Sequence, residues 1–85
     1  KEVPARFDAI SFAINMISRT QFGMIFVLED KLKVEFKLPK RVSNAKIVKT
    51  AKIGEQYVHV VFIQNEVDID TQLLNWIKQS YIFKQ

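Results

Sequence analysis

Seven residues constrain this chain more than any others: Leu32-Lys33-Val34-Glu35-Phe36-Lys37-Leu38 alternate strictly between apolar and charged. Side chains repeat every second residue only in a strand, so this stretch reads as a β-strand with one face in a core and one in water. Pro39 ends it, because proline cannot donate to a ladder. Upstream, Phe22, Met24, Phe26 and Leu28 alternate with Gly23, Ile25 and Val27, and the polar Glu29-Asp30-Lys31 lies between the two runs. Residues 22–38 therefore predict a β-hairpin, its first strand apolar on both faces and so central.

Pro4 favours an extended N-terminal segment over residues 1–6. From Phe7 to Ile17, Ile10, Phe12, Ile14 and Met16 share one side of a two-residue alternation, which predicts one strand; a helix through Phe7, Ile10, Ile14 and Ile17 is the alternative. Ala45 to Ile53 has an alternation that slips between Ile47 and Val48, as a bulge would produce. Gly54-Glu55 is a turn, and the β-branched and aromatic run Tyr57-Val58-His59-Val60-Val61-Phe62-Ile63 completes a second hairpin. Asp68 or Asp70 caps a C-terminal helix over residues 68–82, with Ile69, Leu73, Trp76, Ile77 and Tyr81 as its apolar stripe. The expectation is a mainly β single domain over residues 1–85, a small antiparallel β-barrel of about five to six strands followed by a C-terminal α-helix.

Composition narrows function. The chain has no cysteine, one histidine and no clustered carboxylates, which favours binding over turnover: no enzyme, no cofactor and no metal site are expected. Absence of cysteine fits a reducing compartment, making the cytoplasm the default location. No apolar run approaches the roughly 20 residues that span a bilayer. Of the 13 basic residues, eight lie between Lys31 and Lys52 with only Glu35 opposing them, so an anionic partner is permitted. Alternation directs Phe36 away from Lys33 and Lys37 and the periodicity buries most other aromatics, which disfavours nucleic acid, since base stacking needs exposed rings in a basic groove.

The residues with most to offer a ligand are Ser18-Arg19-Thr20-Gln21-Phe22-Gly23. Ser18 and Thr20 share a face in extended structure and flank an arginine, which suits hydrogen bonding to phosphate or a base edge. Gly23 permits a positive φ or close backbone approach. A turn entering a strand has the same composition. His59, in the most apolar strand, reads as a satisfied core or surface histidine, and Asp68 and Asp70 read as helix caps rather than a catalytic dyad.

The segment Ser18-x-Thr20-x-x-Gly23-Met24, the hairpin strand ending at Pro39, the runs Ala45-Lys46-Ile47-Val48 and Tyr57–Ile63, and a helix beginning near Asp70 together resemble a PilZ domain from Ile17 to Ile77. The resemblance implies a small antiparallel barrel with a C-terminal helix that acts in bacterial cyclic di-GMP signalling. The PilZ signature is Arg-x-x-x-Arg followed by Asp/Asn-x-Ser-x-x-Gly. By that resemblance Gly23 matches, Thr20 keeps the serine hydroxyl, Ser18 replaces the acid or amide, and Arg6 is the second arginine with Glu2 in place of the first. The implied cyclic dinucleotide site is Arg6, Ser18, Arg19, Thr20 and Gly23. Losing one charge-assisted bond to phosphate costs about 1.5–3 kcal/mol, so two altered positions lower affinity by roughly two to four decades. Two readings follow: a weak or conditional cyclic di-GMP module that relays to a protein partner or flanking domain, or a degenerate module that has lost the nucleotide and makes protein contacts or oligomers.

Overall fold

The strict alternation at residues 32–38 becomes the central strand of a single antiparallel sheet. A computed structural model describes residues 6–10 and 13–85, with side chains from Ala13 onward. In chain order the elements are β1 (Arg6–Ile10), β2 (Ala13–Ile17), β3 (Gln21–Val27), β4 (Leu32–Leu38), β5 (Lys49–Ile53), β6 (Gln56–Ile63), a 3-10 turn (Glu66–Asp68) and α1 (Thr71–Phe83). The sheet order is β1-β2-β3-β4-β6-β5. Every neighbouring pair is antiparallel.

The mainly β class with a C-terminal helix is as expected, but the barrel does not close. β1 and β5 are the two edges of an open sheet. The physical reason lies on the inner face: Met16, Phe22, Val34, Phe36, Leu38, Val61 and Ile63 are covered by Leu73 and Trp76 of α1. The helix buries the apolar surface that a second barrel wall would otherwise have to cover, so nothing drives the edges together.

Two local expectations about the strands need correction. The single strand over Phe7–Ile17 is two strands, β1 and β2, paired from Arg6↔Ile17 to Ile10↔Ala13. Ser11 and Phe12, which join them, lie outside the described residues and carry none of the Asn-Gly signals that mark a hairpin turn. The slip at Ile47/Val48 is not a bulge: Ile47 N–H donates to the Asn44 carbonyl at 3.0 Å, and β5 begins only at Lys49. The bulge sits instead between β2 and β3, where Met16 pairs with Gly23 and Ile17 with Gln21, leaving Phe22 as the extra residue. Two consecutive residues, Phe22 and Gly23, are therefore both buried. The extended segment expected over residues 1–6 lies outside the described residues except for the backbone of Arg6.

The helix starts three residues later than expected. Asp70 is its N-cap, accepting from Leu73 N–H at 2.9 Å, and also forms an ion pair with Lys46. Asp68 instead closes a capping box with Asn65 around the 3-10 turn. Both aspartates are thus caps. Of the expected apolar stripe, Ile69 precedes the helix and is half exposed. Among the described residues no helix is long and apolar enough to cross a membrane.

The two glycines are needed for different reasons. A Cβ on Gly23 would lie 2.5 Å from both the Glu35 carbonyl oxygen and the Met16 terminal methyl. Gly54 has open space around it but a φ of +64°. Gly23→Ala is expected to cost about 1–3 kcal/mol, because backbone must move. Gly54→Ala should cost about 1–2 kcal/mol through left-handed strain alone. Urea unfolding of both variants measures the two values.

Candidate functional site

The hairpin register gathers part of the expected site at one end of the sheet. Arg6 pairs with Ile17, so its backbone lies beside the Ser18–Thr20 turn; its side chain, with Lys1 and Glu2, lies outside the described residues. The turn is closed by Ser18 N–H donating to the Thr20 carbonyl at 3.0 Å. Arg19 and Thr20 are exposed, and the Thr20 hydroxyl reaches the Lys84 carbonyl at 3.4 Å. Gly23 is three residues into the sheet, opposite Phe36 and Met16. Its missing Cβ leaves room for the Met16 methyl and the Glu35 carbonyl. Of the two described glycines, Gly54 alone has a positive φ.

The other half of the site draws on the basic stretch between Lys31 and Lys52, but its assembly into a groove was not foreseen from the sequence. On the sheet face away from α1 lies a groove of about 560 Å3. Its floor includes Ala51, Val58, Val60 and Phe62, and its rim carries Lys33, Lys37 and Lys49 against one carboxylate, Glu35. These residues meet through cross-strand pairs: Lys33 with Phe62, Glu35 with Val60, Lys37 with Val58, and Val60 in turn with Lys49. The Lys33–Glu35 pair is 3.8 Å long and partly exposed, so it contributes at most about 1 kcal/mol and leaves the groove net cationic.

Lys37 is the best-anchored cation. Its Nζ donates to Gln21 Oε1 at 3.1 Å and reaches the Gln21 carbonyl at 3.4 Å, while the Gln21 amide donates to Asn15 Oδ1. Partial burial pushes the Lys37 ammonium below its ordinary pKa, with the nearby Lys84 charge adding to the shift and Glu35 opposing it. An anion placed against it would recover that lost solvation.

Two aromatic rings stand on this same face. Phe26 pairs with Lys33 across β3 and β4, and the Lys33 ammonium lies 4.4 Å above its ring. Phe62 is 36% exposed, with Lys31 Nζ 4.3 Å from its ring. Phe36 is fully buried on the opposite face, as its alternation predicts. The expectation that periodicity buries the other phenylalanines fails at Phe62. Counting back from the Leu28–Lys31 turn would have placed Phe26 opposite Lys33, but the β4–β6 pairing that brings Phe62 there is non-local.

His59 is a core histidine, one of the two placements the sequence left open, but its Nδ1 has no hydrogen-bond partner. It is fully buried and stacks on Phe36 with centroids 5.2 Å apart. Its Nε2 accepts from Val42 N–H at 2.9 Å, which places the ring proton on Nδ1. Burial lowers its pKa below the usual 6.5. The backbone of Phe36 and Tyr57 opposes that shift, and the positive charge of Arg41 reinforces it.

Fold and site together define a one-sheet domain with a helix on one face and an open cationic groove on the other. The chain belongs to the family described as Domain of unknown function (DUF5655), whose model matches residues 3–84. Comparison with curated proteins and with solved structures gives no match.

Protonated His59 has no lone pair for Val42, so the pH dependence has a defined sign. Below pH 6.5 the unfolded chain takes up the histidine proton while the folded chain resists it, so stability present at neutral pH is lost as pH falls from 6.5 through the folded value. Asp70 is held below 3.8, first by Lys46 and then by Leu73 N–H, so its contribution is lost only at lower pH. Thermal melts should show a midpoint that falls as pH drops below 6.5 in the wild type. In His59→Gln, whose amide oxygen can still accept from Val42, that slope should flatten.

Proposed function

We propose that this chain is a non-catalytic binding module that takes an anionic ligand with planar groups on the open face of its sheet. The observation that carries this reading is the lining of the groove: three lysines to one carboxylate, above an apolar floor, on the face the helix leaves uncovered. Opposite charge draws the anion in, and the apolar floor with the Phe62 ring accepts the flat part. The turn bearing Ser18, Arg19 and Thr20 runs into Gln21, which lines the groove and holds Lys37. That turn, beside the backbone of Arg6, is where the resemblance to PilZ domains would seat a phosphate. Cyclic di-GMP is accordingly the ligand to test first.

Calorimetric titration with cyclic di-GMP should give saturable binding that Lys37→Glu weakens about tenfold or more, the loss of one charge-assisted contact. Arg19→Ala should weaken it less, because Arg19 is exposed. A flat titration at millimolar ligand would remove this dinucleotide from the reading.

One observation favours a protein-contact module as the second reading. At the far end of the sheet Val27, Leu28, Val67 and Ile69 are exposed, Val67 by 80%, and Leu28 and Ile69 line one shallow hollow. Under that reading sedimentation shows a dimer that Ile69→Lys converts to monomer; a wild-type monomer at all concentrations contradicts it.

A further inference from the structure

We infer that the open face is a platform for single-stranded nucleic acid, with Phe26 and Phe62 as stacking surfaces and Lys33, Lys37 and Lys49 as phosphate contacts. This deepens the reading that the groove takes anions and rests on it. Phe26, Lys33 and Phe62 form one row across β3, β4 and β6. Strands are spaced by about 4.8 Å, so the two rings sit roughly 10 Å apart with a lysine between them. That is an alternation of ring, cation and ring across the sheet, which suits a strand of bases joined by phosphates.

Both rings are already capped by an ammonium, Lys33 over Phe26 and Lys31 over Phe62. An arriving base takes the ring face, and the displaced ammonium is then within reach of the adjoining phosphate. Base stacking on an aromatic ring requires the base face to be free, which a duplex does not offer and a single strand does.

The groove also continues. Val48 and Lys49 line both the main groove and a polar hollow of about 230 Å3 formed by Arg41, Ser43 and Asn44. The path therefore runs from the ring row past Lys49 onto a loop with a further cation. A ligand that uses both parts is a chain rather than a single nucleotide. Charge excludes a second copy of this protein as the occupant, because face-to-face pairing would oppose Lys33, Lys37 and Lys49 to their own equivalents.

The test is fluorescence anisotropy with a labelled oligothymidylate of about eight nucleotides, with cyclic di-GMP and a duplex of equal length as competitors. The expected result is binding whose logarithm falls with log salt at a slope of about −2, from three contacts at about −0.7 each. Phe62→Ala should weaken it about tenfold, and Lys49→Glu should both weaken it and flatten the salt slope. Lys78→Glu, on the exposed face of α1, should change neither. Phe26→Ala provides a second test of stacking, and amide spectra check that each variant is folded. If cyclic di-GMP binds and the oligonucleotide does not, the nucleic-acid inference falls while the anion-groove reading stands. If neither binds, both fall. Equal affinity for duplex and single strand with Phe62→Ala silent also overturns the inference.

Discussion

The structure depends on one stack: His59 against Phe36 at 5.2 Å, and Phe36 against Trp76 at 5.5 Å, all within 17° of parallel. Phe36 comes from β4, His59 from β6 and Trp76 from α1, so three elements separated in sequence meet at one ring. Removing such a central ring typically costs about 3–5 kcal/mol, against a total stability of about 5–15 kcal/mol for a domain of this kind. The stack also reaches the long connection between β4 and β5, because His59 holds Val42 by a hydrogen bond. A second ring contact, Phe22 edge-on to Tyr81 at 5.8 Å, fixes the other end of the helix.

Because the helix satisfies the inner face, the outer face is free to serve as a surface. Strand alternation then does the sorting. Each residue that sends Val34, Phe36 or Leu38 inward has neighbours that send Lys33, Glu35 or Lys37 outward. β6 contributes apolar residues to both faces, with Val61 in the core and Val60 on the groove floor. The result is a cationic rim around an apolar floor, produced by the same period that builds the core.

Much of this is written in local pattern. The 22–38 hairpin, the 49–63 hairpin about Gly54 and the capping role of Asp70 all follow from signals within a few residues. What is not local was not legible. The β1–β2 reversal falls between Ile10 and Ala13, where the sequence has no Gly, Pro, Asn or Asp to break the alternation. The bulge at Phe22 makes two adjacent residues buried, which a strict period forbids, and Gly23 leaves room for the Met16 methyl while also lining the groove. Sheet order places β6 beside β4, and only that pairing puts Phe62 next to Lys33. The backbone of Arg6 and the Ser18–Thr20 turn share one end of the sheet because they are close in sequence along the β1-β2-β3 meander, whereas the lysine groove needs strands far apart in sequence.

The central claim is that one sheet face is covered by a helix and the other attracts anions. Solvent paramagnetic relaxation measured with a neutral probe and then with an anionic probe of the same size tests it without assuming any ligand. The account predicts excess relaxation from the anionic probe at the methyls of Ala51 and Val58 in the groove, and none at Leu73 beneath the helix. Equal relaxation by the two probes at the groove methyls, or an excess on the helix side, would contradict it.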